Sequence, residues 1–224
     1  MKKPEEIPLD ESVALKPNKI LFIKASSGFS AGSSVFDLTN IVKHNYDGMS
    51  AEYIYELHVF AKDLEARDAV FEIKQPKAFK RQKVVTDESQ NEVATISAPI
   101  MAFGIRTFSF PQGSTHSTHD IEMKPVGMGR RAEGFVKDSV LYFWDKKENI
   151  AMLTKVIGDK RVEIAKFGAK HTYDKGGILA LDTTQLDEVI VLITCVTLLN
   201  QLDSASGPLP HTKWAGWTWG GKMV

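Results

Sequence analysis

The sequence predicts a mainly β chain, a closed antiparallel barrel of about a dozen strands around one buried, apolar C-terminal helix. Three observations predict it. Short apolar or alternating runs recur along the chain, about ten residues apart, with turn residues between them. Several of the connections, such as DESQN (87–91), DKKEN (145–149) and GDK (158–160), are too short for anything but antiparallel hairpins. And one long segment, 189–202, is apolar, free of charge for fourteen residues, and preceded by helix-start chemistry.

Taken in order, the first eighteen residues open MKKPEEIPLDES, a mix of lysines, acids and prolines read as a mobile leader. Strands are then expected at 19–24 (KILFIK), 34–39 (SVFDLT), 53–60 (YIYELHVF), 69–74 (AVFEIK), 80–86, 92–97, 101–110 and 119–124. Four more are expected at 140–144, 150–156, 161–167 and 178–181. By themselves these strands allow a barrel or a sandwich. The segment DTTQLDE (182–188) then leads into VIVLITCVTLLNQL. Thr184 with Asp187 three residues later resembles a capping box, and Glu188 suits the helix dipole. A helix apolar on every face must be buried on every face, and running it through a barrel achieves that. A single domain over 19–203 and a Trp-rich tail over 204–224 complete the organisation.

Composition narrows the functional classes. The chain has 224 residues, is 43% hydrophobic, and balances 28 Lys and Arg against 28 Asp and Glu. A zero net charge argues against general nucleic-acid binding. One cysteine, Cys195, excludes an internal disulfide, and no Asn-x-Ser/Thr acceptor occurs, so a cytoplasmic protein is expected. Fourteen apolar residues fall short of the about 20 that a transmembrane helix needs. No glycine-rich phosphate loop, zinc spacing or flavin motif is visible, so neither cofactor nor metal is expected.

The run VLYFWDKKENIAMLTKVIGDKRVEIAKF, followed by GGILALDTTQLDEVIVLITCVTLLNQ, resembles the last strands and buried helix of the LURP-one-related proteins. These belong, with tubby domains and phospholipid scramblases, to the tubby C-terminal-like superfamily. The hairpin KRQKVVTDESQNEVATIS is similar to strand pairs of that group, with Asn91 where glycine is commoner. The Pro-rich leader and cysteine cluster associated with scramblases are absent, as is the ending typical of tubby domains. The resemblance implies a twelve-stranded barrel around a helix and, for some members, contact with lipid.

Each candidate site has a plainer reading beside it. The stretch 74–83 holds five cations and no acid. Lys77, Lys80, Arg81 and Lys83, with Phe79 interleaved, would seat an anionic headgroup; Arg130 and Arg131 would extend the patch. The plainer reading is a solvated edge guarded by charge. His116 and His119, beside Asp120 and with Arg106 nearby in sequence, would supply acid and base at a barrel rim, or merely form a polar loop. GFSAG (28–32) matches G-x-S-x-G but lacks the strand–turn–helix context that a nucleophile elbow requires. His171, with Tyr173 and Asp174, reads as a polar turn, and Cys195 as an inert core thiol. Trp214, Trp217 and Trp219 suit a membrane interface or a partner groove, or a tail folded back on the barrel. Three functions therefore stand: a non-catalytic module for a lipid headgroup or small apolar-anionic ligand, with peripheral membrane contact; a cofactor-free isomerase, cyclase or hydrolase; or a protein-interaction domain.

Overall fold

The computed structural model describes residues 4–25, 32–42, 46–61, 64, 68–76, 82–98, 104–126, 132–147, 149–169 and 176–205, with side chains to residue 200. Twelve strands run in chain order: β1 (Lys19–Ala25), β2 (Gly32–Asp37), β3 (Phe71–Lys74), β4 (Gln82–Asp87), β5 (Glu92–Ser97), β6 (Arg106–Ser109), β7 (Ile121–Pro125), β8 (Ala132–Lys137), β9 (Val140–Lys147), β10 (Ile150–Ile157), β11 (Lys160–Gly168) and β12 (Gly176–Leu181). Each pairs antiparallel with its chain neighbours, and β1 pairs with β12 from Lys19↔Leu181 to Lys24↔Gly176, closing the barrel. Closure removes every sheet edge.

The axis of the barrel is α2 (Glu188–Ala205). From Val189 to Val196 every residue is 0% exposed, and these side chains share one core with the inward residues of the strands. Each fully buried Val, Leu or Ile contributes roughly 1.5–3 kcal/mol, so the helix is the largest single source of apolar burial. Its polar members are satisfied locally. Thr194 donates back to the carbonyls of Ile190 and Val191, and accepts the indole N–H of Trp144 at 2.9 Å. The cap is Asp187, which accepts from the amides of Val189 (2.9 Å) and Ile190 (3.3 Å). The Thr184 cap expected from sequence is displaced, because Thr184 turns its hydroxyl to Asp182.

Residues 53–60 correct the strand list. They belong to α1 (Ala51–Ala61), not to a strand. Aromatic and β-branched residues imitate a strand here, but the buried set, Tyr53, Ile54, Leu57 and Ala61, has helical spacing. Ser50 starts the helix by accepting the amide of Tyr53 at 3.0 Å. α1 lies outside the barrel, over the outer faces of β1, β2 and β12, where Ile20, Phe22, Phe36, Ile178 and Ala180 form a second core with it. β12 is therefore buried on both faces. At Gly177 an added Cβ would lie 2.2 Å from the Phe167 ring, so only glycine fits there.

The twelfth strand comes from 132–137, which sequence periodicity does not mark because it carries Glu133 and Gly134. Nor are residues 4–18 a loose leader. Ile7 and Leu15 are buried, Leu9 bridges Arg161, and the Arg161 guanidinium donates to the Ile7 carbonyl at 2.8 Å.

Candidate functional site

The two ends of the barrel differ in kind. At the upper end, where α2 begins, opposite charges meet in pairs. Lys19 lies 2.9 Å from Asp37 and 3.4 Å from Glu188. Burial alone would raise the Asp37 carboxyl, but hydrogen bonds from Thr39 and Lys19 hold it below the usual carboxylate range. Asp187, besides capping α2, receives His116 Nδ1 at 3.0 Å. A carboxylate only accepts, which places the ring proton on Nδ1.

The alternative catalytic set is not assembled. His116 is held by the helix cap, whereas His119 faces Asp138 at 4.0 Å on exposed surface. Arg106 begins β6, while both histidines lie beyond the far end of that strand, and its guanidinium donates to the Ile105 carbonyl. His116 and Asp187 together fasten the 110–120 loop to the start of α2. Of the GFSAG stretch, residues 28–31 lie outside the described residues; Gly32 opens β2, so a strand follows it where a nucleophile elbow requires a helix.

The lower end, where α2 finishes, is built from inward-facing charge. Residues directly opposite each other on antiparallel strands share a face. Lys83 lies opposite Ile96, Arg106 opposite Met123, Glu133 opposite Trp144, and Lys146 opposite Ala151. All four partners belong to the barrel core, so these four charged side chains turn inward. Lys83 Nζ reaches α2 and donates to Asn200 Oδ1 at 3.1 Å. Burial pushes the Cys195 thiol well above its ordinary value, and Lys146 is near enough to oppose that shift. Glu133 is 0% exposed. Among the described residues, three cations and one carboxylate thus turn inward at this end. The Thr197 and Ser33 hydroxyls are also buried at 1% and 3% exposure, and neither finds a hydrogen-bond partner among the described residues.

Of the ligand-binding residues expected from sequence, Lys83 joins this inward group. Lys77, Lys80 and Arg81 fall between β3 and β4, and Arg130 and Arg131 between β7 and β8; all five lie outside the described residues. The strand ends that flank them, Lys74 with Gln82 and Pro125 with Ala132, are at the lower end. Lys74 itself pairs with Glu72. His171, Tyr173, Asp174 and the three tail tryptophans are likewise outside the described residues. Sequence reasoning missed Glu133 and Lys146; their alternation with Phe135 and Trp144 would have shown them, once the strands and their inward face were known. No group of three metal-ligating side chains occurs among the described residues, and no described helix is long and apolar enough to cross a membrane.

No family model matches the chain, and no curated protein matches it. A search of solved structures finds the X-ray structure of a protein from Arabidopsis thaliana at 12% identity, covering 90% of this chain and 99% of that one with a TM-score of 0.39.

Proposed function

We propose that the protein is a non-catalytic binding module of the tubby-like type, which takes an anionic group on an apolar body at the lower end of the barrel. The observation that carries this reading is the inward set of Lys83, Arg106 and Lys146, against which Glu133 is the one inward carboxylate among the described residues of that end, in a chain whose net charge is zero. A protein with no overall field attracts an anion only through local excess of this kind. The buried hydroxyls of Thr197 and Ser33, without a hydrogen-bond partner among the described residues, add hydrogen-bonding capacity inside the same end of the barrel. Lysines and arginines in the flanking connections enlarge the excess, as peripheral contact with an anionic, cytoplasmic membrane surface requires.

The test is sedimentation with phosphatidylcholine vesicles containing phosphatidylserine, alongside titration with inorganic phosphate. Vesicle binding that weakens steeply as salt rises is expected. The double variant Lys83→Gln, Arg106→Gln should lose about 1 kcal/mol per cation, or roughly thirtyfold in affinity. Competition by inorganic phosphate would point to headgroup charge as the recognised feature; binding to phosphate alone would point to a soluble ligand. Binding of neither, or binding unchanged in the double variant, would overturn the reading.

A further inference from the structure

α1 buries one face on the barrel and leaves an apolar face open. Tyr55, Val59 and Phe60 are 52%, 53% and 52% exposed, although each is a large apolar side chain. With Leu38, Ile41 and Val42 they line a cleft of about 390 Å³. Among the described residues its charged rim is acidic: Glu56 lines it, and the exposed Glu52 stands one turn earlier on the helix. The cleft is remote in character from the basic lower end, being apolar with negative charge beside it.

The geometry points to an occupant within the same chain: the 206–224 segment, seated in this cleft through its tryptophans. Three properties of that segment match the cleft. Its residues include Trp214, Trp217 and Trp219, which seek apolar contact with a polar handle. It carries Lys213, Lys222 and His211 and no Asp or Glu, so its charge complements Glu52 and Glu56. It also starts close enough. α2 ends at Ala205, at the lower end of the barrel, and near the close of α1 Lys24 Nζ donates to the Leu64 carbonyl at 3.3 Å. Lys24 pairs with Gly176, the first residue of β12, which puts this contact at the same end.

A twelve-strand ring at the usual strand spacing has a radius of roughly 10 Å, and a helix packed outside it adds about 10 Å more. Trp214 stands nine residues beyond Ala205, and nine extended residues span up to about 30 Å. Leu38, Ile41 and Val42 follow the upper end of β2, so that wall of the cleft stands up to about 20 Å higher along the six-residue strand. Trp217 and Trp219, twelve and fourteen residues beyond Ala205, span up to about 40–50 Å and reach it. A tether of this length presents its tryptophans at millimolar effective concentration, so modest contacts suffice to seat them.

Tryptophan fluorescence of the full chain tests the proposal. Trp144, buried and bonded to Thr194, gives a constant background. The other three tryptophans are all in the tail. Blue-shifted tail emission with weak acrylamide quenching is expected. In Val59→Asp, Phe60→Asp the emission should move to the red and quenching should rise severalfold, toward that of a free peptide of sequence GPLPHTKWAGWTWGGKMV. Because both side chains are half exposed, the variant should melt as the parent does. Glu56→Lys should loosen the tail in the same direction, and Lys213→Glu in that background should restore protection. Parent quenching equal to that of the free peptide, or protection that the Asp variant leaves intact, would overturn the proposal. So would protection that grows with protein concentration, which assigns the cleft to a second copy, or protection that arises only with vesicles, which assigns the tryptophans to a membrane.

Discussion

The upper and lower ends of the barrel use the same residue types to opposite effect. Above, Lys19 meets Asp37 and Glu188, and His116 meets Asp187, so each of these charges has a named opposite, and Glu188 and Asp187 tie β1 and the 110–120 loop to the start of α2. Below, three cations and one buried carboxylate turn inward among the described residues, and Lys83 reaches the final turns of the helix. The difference teaches where to test for function in a barrel filled by its own helix: the paired charges at the upper end fasten the fold, and the proposed function places its ligand where cations outnumber carboxylates among the described residues.

The largest expected effect tests what both ends depend on. Leu192 is 0% exposed in the middle of α2, and Leu192→Asp places a charge there with no partner. The cost is several kcal/mol, enough to abolish soluble, cooperatively melting protein. A folded Leu192→Asp variant would mean that α2 does not fill the barrel. Next comes the contrast between ends. The Lys83→Gln, Arg106→Gln pair should lose vesicle binding by roughly thirtyfold.

At the upper end the result should reverse. Asp187→Ala removes the cap and the partner of His116, costing about 0.5–2 kcal/mol. At about 2–4 °C per kcal/mol for a chain of this size, calorimetry should register a drop of several degrees. Vesicle binding should be unchanged. The smallest effect is Asp37→Asn. A carboxyl held low in the folded chain contributes stability above its unfolded value of about 4, and loses it as pH falls through the lower folded value. Asp37→Asn should therefore melt below the parent at neutral pH, with the gap closing in acid. A gap that persists at low pH would assign the loss to packing instead of charge.

The barrel was legible in the sequence for uneven reasons. Hairpin turns and the all-round apolar 189–202 segment reveal architecture directly, because neither pattern has a stable surface alternative. Membership was harder. YIYELHVF satisfies strand composition yet folds as α1, since Ser50 caps it and the outer wall of β1, β2 and β12 offers a helical stripe something to bury against. AEGFVK fails the same composition test yet forms β8, because its glutamate is inside. One error of each kind left the strand total unchanged. Lys83 was visible as part of a charge run. That Arg106, Glu133 and Lys146 share its interior depends on cross-strand register, and the pairing of His116 with Asp187 spans 71 positions, which no local pattern encodes.

The closure of β1 onto β12, with α2 threaded behind it, sets the order in which this molecule can come into being. The first strand finds its second neighbour only among residues 176–181, and the axial helix starts at residue 188. Synthesis runs from the N-terminus at about 5–20 residues per second. For the whole of that interval eleven strands hold inward-facing apolar side chains with nothing to close on. Pairing over such sequence separations is slow even for a finished chain. The nascent polypeptide must therefore wait, partly open and prone to association, until its last helix is delivered. A chaperone that shields apolar surface during elongation should accordingly raise the yield of folded protein more than one that acts after release.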